Sequence, residues 1–237
     1  MISPTSDEKS IADWFLFEST DDSSFTMRFI DPETGSASEC MHSLRGAFAE
    51  TDYIYGHAIR RVLQLGLEPR FLSIGLGLGY CETLLSALML REFYAESFEI
   101  DERLRLQFSN WISGKPVIPE FKKVYDQTVK SCFADEWIVK RLLRQIRFRE
   151  VLAPGTSFDR GFSCILFDAF SSKSSPELWT QEFLEDFFAK ACLPECVFAT
   201  YACTGVLKRA LRNSGFDVEV RAGFSSKRDS TFAVRTR

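Results

Sequence analysis

Phe71-Leu72-Ser73-Ile74-Gly75-Leu76-Gly77-Leu78-Gly79 decides how this chain is read. A short apolar run ends in three alternating glycines and passes into Tyr80-Cys81-Glu82-Thr83-Leu84-Leu85, a helix-like sequence. The pattern predicts a buried strand that turns sharply into a helix whose N-terminus lies open. Glycine suits such a turn because the backbone bends tightly and a ligand approaches where a Cβ would collide. One unit later, Ser97-Phe98-Glu99-Ile100-Asp101 brings a second apolar run to an end in carboxylates. An acid at that point is placed to meet a ribose hydroxyl pair. The two features together indicate a nucleoside cofactor, with Gly75, Gly77 and Glu99 against it. Gly79 is expected either at the cofactor or in helix–strand packing.

The spacing narrows the choice. The glycines run G-x-G-x-G, which is not the dinucleotide fingerprint G-x-G-x-x-G. No Lys-Ser/Thr follows them, which excludes a phosphate-cradling Walker loop. A G-x-G-x-G turn with an acid closing the next strand is the pattern of S-adenosylmethionine-dependent methyltransferases. Another nucleotide binder, or a glycine turn that serves packing alone, are the other readings of the motif.

Outward from that stretch the chain alternates. Residues 14–18 and 24–30 read as strands and Asp31-Pro32-Glu33-Thr34-Gly35 as a turn after them, which predicts a small N-terminal β-hairpin appendage, bounded at 1–45. Residues 46–65 carry an apolar stripe of helical period. Strands are expected at 71–76, 96–100, 147–152, 163–167 and 196–201. Helices are expected after residue 79, from 102, over 133–145, over 176–190 and over 204–213, with Lys115-Pro116-Val117-Ile118-Pro119 as a break. Residues 218–220 and 231–234 are expected to close the sheet in antiparallel fashion. The predicted class is α/β: a Rossmann-like, doubly wound, mostly parallel sheet with an antiparallel C-terminal strand, spanning 46–237. Ligands in such sheets sit at the carboxyl ends of the strands. That rule gathers Gly75, Glu99, Asp168 and Tyr201 around one crevice.

Composition sets the bounds. The chain has 237 residues, ample for a full core, and no run of eighteen apolar residues that would cross a membrane. The first residues lack the charged-then-apolar order of a signal peptide. Seven scattered cysteines without C-x-x-C, and only two histidines, argue against a metal site and for reduced thiols in a cytoplasmic setting. The histidines, His42 and His57, carry no adjacent acid or metal pattern. Net charge is −4, yet it is unevenly spread. Residues 1–52 hold eleven acids against three bases, and residues 200–237 hold eight bases against three acids. Lys140, Arg141, Arg144, Arg147 and Arg149 form a further basic run. Such asymmetry suits one face meeting a polyanion, and a solvated helix face would look the same.

Four separated stretches carry a resemblance to a known family. Phe167-Asp168-Ala169-Phe170-Ser171-Ser172-Lys173-Ser174-Ser175-Pro176-Glu177-Leu178-Trp179-Thr180 resembles the D-A-F-x-P-x-x-x-P-x-L-W-T loop of the MnmC-like methyltransferases. Thr200-Tyr201-Ala202-Cys203-Thr204-Gly205-Val206-Leu207-Lys208-Arg209-Ala210-Leu211 is similar to that family's T-Y-x-x-x-G-x-V-[RK]-R-x-L. Gly215-Phe216-Asp217-Val218 and Gly223-Phe224-Ser225-Ser226-Lys227-Arg228 match its ending. Upstream, Gly46-Ala47-Phe48-Ala49-Glu50-Thr51-Asp52-Tyr53-Ile54-Tyr55 looks like its G-x-x-E-[ST]-x-Y-V-F segment. The resemblance implies an S-adenosylmethionine-dependent enzyme that methylates the exocyclic amine of 5-aminomethyluridine at the wobble position of tRNA. Nothing here resembles the flavin-dependent oxidase of the bifunctional members, so the stand-alone methyltransferase branch is implied. A departure from the usual pattern lies at Arg149-Glu150-Val151-Leu152, which lacks a clear match to the acid usual after the third strand and offers Glu150 only as a poor substitute.

The chemistry asks for little acid–base machinery. Methyl transfer from a sulfonium to an amine is an in-line displacement, and holding the partners collinear at about 3 Å contributes up to roughly 7–11 kcal/mol. Asp168, at the tip of a buried strand, is the candidate to orient the amine and receive its proton; capping of the following loop is the alternative role. It also borders the cofactor. Glu50 and Tyr53 are expected to line the cofactor pocket from the preceding helix. Phe170 and Tyr201 are expected at the acceptor, where aromatic rings stack on splayed RNA bases. Trp179 reads as core. Lys208, Arg209, Lys227 and Arg228 are candidate phosphate contacts.

Overall fold

The computed structural model describes residues 11–31, 33–225 and 229–236. A hairpin comes first, β1 (Phe15–Ser19) against β2 (Phe25–Phe29), antiparallel with Phe15 opposite Phe29. Helix α1 (Ala47–Thr51) runs through a π-helical turn at Asp52–Gly56 into α2 (His57–Leu65), which Gly66 stops in the left-handed conformation. The alternating body follows: β3 (Arg70–Ile74), α3 (Tyr80–Met89), β4 (Tyr94–Phe98), α4 (Glu102–Ser113), α5 (Pro119–Ser131), α6 (Glu136–Leu143), β5 (Ile146–Arg149) and β6 (Phe162–Phe167). A 3-10 turn at Pro176–Trp179 leads to α7 (Gln181–Ala191), β7 (Cys192–Thr200), α8 (Gly205–Asn213), β8 (Asp217–Arg221) and β9 (Ser230–Arg235).

Seven strands form one sheet in the order β5-β4-β3-β6-β7-β9-β8. β5, β4, β3, β6 and β7 are parallel, and β9 runs antiparallel between β7 and β8. The chain winds outward from β3 through β4 to β5, then restarts at β6 on the other side. The switch point therefore falls between β3 and β6, where such sheets bind ligands. Register fixes the site: Ile74 pairs with Phe98 on one side and Phe167 on the other. Gly75, Glu99 and Asp168 follow those three residues and so leave the sheet at one level. β6 is buried along its whole length, as a central parallel strand requires.

The mixed α/β sheet, the antiparallel closing strand and the N-terminal hairpin agree with expectation. Several boundaries do not. The second strand stops at Phe98 rather than residue 100, because the Glu99 carboxylate turns inward to accept the Gly77 and Asp101 amides. Helix α5 was not expected: Pro119 opens it at the first turn, where a missing N–H costs nothing, instead of only breaking α4. The helix expected over 133–145 starts later, at Glu136 behind its Asp135 cap, since Phe133 adopts a left-handed φ of 51°. The hairpin is firmly docked. Tyr80 Oη donates to the Phe25 carbonyl at 2.7 Å and accepts its amide, and Phe15 and Met27 belong to the same buried core as α3 and α5.

Candidate active site

A cavity of about 500 Å³ opens at the carboxyl ends of β3, β4 and β6. Its floor is the glycine turn. Gly75 has φ 91°, and a Cβ there would lie 2.5 Å from the Asp168 carbonyl oxygen, so any side chain would collide with the neighbouring strand end. Gly77 has φ 50° and its amide donates to Glu99 Oε2 at 2.9 Å. Gly79 does not line the cavity: the space a Cβ would need is taken by the Phe108 ring of α4, which makes it a packing position.

Glu99 is pinned between two backbone amides, Gly77 to Oε2 and Asp101 to Oε1, both at 2.9 Å. Burial pushes its carboxyl above the ordinary value, opposed by those two amides. One lone pair on each oxygen remains, which suits a pair of vicinal hydroxyls. Ile100 follows it into the lining with an exposed apolar side chain, facing the Glu150-Val151-Leu152 segment beyond β5. That pairing of an acid with apolar walls is what a ribose and its base require. Glu150 does line the cavity, near Arg105 at 3.8 Å.

Asp168 stands at the tip of β6, its amide donating to the Ile74 carbonyl at 2.8 Å. Tyr55 Oη donates to Asp168 Oδ1 at 2.7 Å and lies 3.3 Å from the Phe167 carbonyl. Burial, and then the Asp168 charge, raise the Tyr55 hydroxyl well above its ordinary value, so it stays a donor throughout the neutral range. Tyr201 Oη donates to the Ala169 carbonyl at 2.9 Å and fixes the other side of the same turn. The π-helical turn is what brings Tyr55 here, while Tyr53, two residues earlier, leaves the cavity lining altogether. Tyr53 instead donates to the Ala222 carbonyl at 2.8 Å and lies under the Arg221 guanidinium. The expected pocket role of Tyr53 is therefore replaced by anchoring of the segment that carries Gly223 and Phe224 into the lining.

Glu50 is buried in the wall, accepting the Ser43 amide at 2.7 Å. Phe170 is in the lining and meets Phe29 of the hairpin at 6.3 Å between centroids. Trp179 is core, its Nε1 donating to the Phe170 carbonyl at 2.8 Å, so it holds Phe170 rather than touching the cavity. Lys208 and Arg209 lie on α8 away from the lining, with Arg209 3.4 Å from Gln181. Lys227 and Arg228 lie outside the described residues.

Sequence reasoning missed the roof. Glu39, Cys40, Met41 and His42 descend from the hairpin into the lining, and the Met41 sulfur is the nearest atom to the space above Gly77. Glu39 accepts from Ser174 Oγ at 2.8 Å and Ser171 Oγ at 3.1 Å, strapping this segment to the loop after Asp168. Six carboxylates, from Glu39, Glu50, Glu99, Glu150, Asp168 and Glu177, line the cavity, and among the described residues no lysine or arginine does. Such a field favours cationic ligands. A sulfonium carried on a nucleoside fits this donor set: glycine floor, carboxylate for the ribose, apolar walls for the base and negative charge around the sulfur.

Comparison with known proteins agrees. A model of an S-adenosyl-L-methionine-dependent methyltransferase family matches residues 120–236. The tRNA 5-methylaminomethyl-2-thiouridine biosynthesis bifunctional protein MnmC of Chromohalobacter salexigens is 31% identical over 93 residues, 39% of this chain and 13% of its own length. The chain thus spans about an eighth of that curated relative. The crystal structure of MNMC2 from Aquifex aeolicus superposes with a TM-score of 0.58 at 21% identity, covering 92% of this chain and 70% of the other. Spermidine synthase from Thermotoga maritima follows with 0.53 at 17% identity, covering 93% and 72%. Those two likenesses carry the fold. The family model, over just under half of the chain, and the MnmC relative, over a short stretch, make this chain similar to the S-adenosyl-L-methionine-dependent methyltransferases of the MnmC kind.

Proposed function

We propose that this enzyme methylates the exocyclic amine of 5-aminomethyluridine, with or without a 2-thio group, at the wobble position of tRNA. The observation that carries the reading is Asp168, held by Tyr55 at the mouth of a cavity lined by carboxylates and by no cation among the described residues. The MnmC relatives, named for tRNA 5-methylaminomethyl-2-thiouridine biosynthesis, supply the acceptor.

S-adenosylmethionine, when bound, supplies a methyl on a positively charged sulfur, and a C–N bond forms as the C–S bond breaks with its electron pair left on sulfur. The residues do the rest. Gly75, Gly77 and Glu99 hold the nucleoside end, and the Asp168 carboxylate, positioned at Oδ1 by the Tyr55 hydroxyl, meets the amine. A primary amine arrives largely protonated at neutral pH, and only its neutral form attacks. Asp168 attracts the cation, orients the nitrogen and takes up the proton that must leave it. Phe170 offers a ring face beside that carboxylate for the uracil.

A second reading has one observation in its favour: an acid-lined cavity accepts a small free amine as readily as one carried on RNA. Labelled S-adenosylmethionine offered with tRNA bearing unmethylated aminomethyluridine, and separately with small amines, separates the two. Label entering tRNA supports the proposal. Label entering only small amines, or none entering either, overturns it.

A further inference from the structure

The cavity raises a physical difficulty that the rest of the surface answers. RNA is a polyanion, and most of its affinity for proteins comes from lysine and arginine at phosphates. The six carboxylates of the cavity repel phosphate, so the cations that hold RNA must lie elsewhere.

Residues 115–149 carry nine bases against four acids. On the corner formed by α5 and α6, Lys130, Arg141 and Arg144 are exposed and make no ion pair among the described residues. Two large aromatic residues stand beside them, Phe133 at 98% exposure and Trp137 at 67%. Trp137, Arg141 and Arg144 fall at i, i+4 and i+7 on α6 and so share a face. The Arg141 guanidinium lies 5.6 Å from the Trp137 ring centroid. Phe133 is held outward by a left-handed backbone that a phenylalanine rarely adopts. The acids of the corner are Asp135, which caps α6, and Glu136, which pairs with Lys140 at 2.8 Å.

Exposed rings flanked by unpaired cations are what single-stranded RNA takes: bases stack on the rings while cations meet phosphates. We propose that the α5–α6 corner is a docking surface for the tRNA substrate, with Trp137 and Phe133 as stacking platforms and Lys130, Arg141 and Arg144 as phosphate contacts. This rests on the tRNA reading given above. The corner holds the polyanion so that one modified base reaches the acidic cavity.

The test compares the intact protein with Trp137→Ala and with the double variant Arg141→Glu/Arg144→Glu, all exposed positions. Binding of unmodified tRNA transcript is measured over a range of salt, together with S-adenosylmethionine affinity and sedimentation. Trp137→Ala is expected to weaken tRNA binding about tenfold or more. The double variant is expected to weaken it further at low salt and to lower the slope of log affinity against log salt by about 1.5. S-adenosylmethionine affinity stays within twofold. Unchanged tRNA affinity in both variants, with wild-type protein binding and methylating tRNA, overturns this surface and leaves the proposed function standing. Wild-type protein that neither binds nor methylates tRNA overturns both. A change of oligomeric state in the variants without a change in tRNA affinity assigns the corner to a second copy of the chain and also overturns the proposal.

Discussion

The cavity wall and the α5–α6 corner use charge in opposite ways. In the wall each central carboxylate is pinned: Glu99 by two amides, Asp168 by the Tyr55 hydroxyl, Glu50 by the Ser43 amide. At the corner Arg141 and Arg144 stand exposed without carboxylate partners among the described residues. The difference follows from the tasks. Chemistry at one nitrogen needs groups fixed within fractions of an ångström, whereas holding a polyanion needs only a field that salt can screen. Changes in the wall should therefore alter turnover or cofactor affinity at any salt, and changes at the corner should alter affinity for RNA in a salt-dependent way.

The largest effect is expected from Asp168→Ala. Loss of a group that orients the acceptor and takes its proton should lower kcat by about 10²–10⁴, with S-adenosylmethionine affinity within about threefold, read by titration calorimetry. A kcat near wild type would remove Asp168 from the chemistry and collapse the contrast between wall and corner. Glu99→Ala comes next, because it strips the nucleoside end of a charged acceptor and leaves the Gly77 and Asp101 amides without theirs. S-adenosylmethionine should bind about 10–150-fold more weakly, as loss of a charged hydrogen bond of about 1.5–3 kcal/mol implies. An unaltered dissociation constant would show that the ribose sits elsewhere.

These two positions were legible in the sequence because strand ends are local events. An apolar run that stops at a glycine or an acid announces its own edge, and parallel register then brings Gly75, Glu99 and Asp168 to one level. Tyr55 was not legible as a partner of Asp168. It reaches its position through a π-helical turn that no apolar stripe reveals, and its partner is 113 residues away. Glu39, Met41 and His42 were hidden for a related reason. A loop after a hairpin carries no periodicity, and only the docking of Phe25 on Tyr80 places it over Gly77. Gly79 shows the converse: a motif position whose neighbour, Phe108, comes from a helix the motif does not contain.

A third prediction concerns a carboxyl that the chemistry leaves unused. Glu82, in the first turn of α3, is fully buried and accepts from Ser97 Oγ at 2.7 Å, while its Oε2 has no hydrogen-bond partner among the described residues. Burial raises its carboxyl to about 7 from the ordinary 4.5, against the pull of the Ser97 hydroxyl. A raised acid binds its proton more tightly when folded than when unfolded. Stability is thus unpenalised below about 4.5 and falls as pH rises towards 7, by roughly 2–3 kcal/mol. Glu82→Gln keeps the Ser97 acceptor and removes the titration. Urea unfolding at pH 5 and pH 8 should show the variant gaining on wild type by that amount at the higher pH, and an equal difference at both would mean that Glu82 is ionised in the fold.

The smallest effect is the most specific. Tyr55→Phe deletes one hydroxyl from a fully buried ring, in a segment where the related family pattern has phenylalanine, so the fold should survive. What is lost is the 2.7 Å donor to Asp168 Oδ1. That bond favours the ionised carboxylate and fixes its rotamer, so its removal should displace the acid limb of the pH–kcat profile to higher pH. It should also lower kcat about tenfold at neutral pH, the equivalent of roughly 1.4 kcal/mol, with S-adenosylmethionine affinity and the salt dependence of tRNA binding unchanged. A mere packing defect would lower stability without moving the acid limb. If kcat falls while the limb stays in place, the hydroxyl serves the geometry of the turn after β6 through the Phe167 carbonyl.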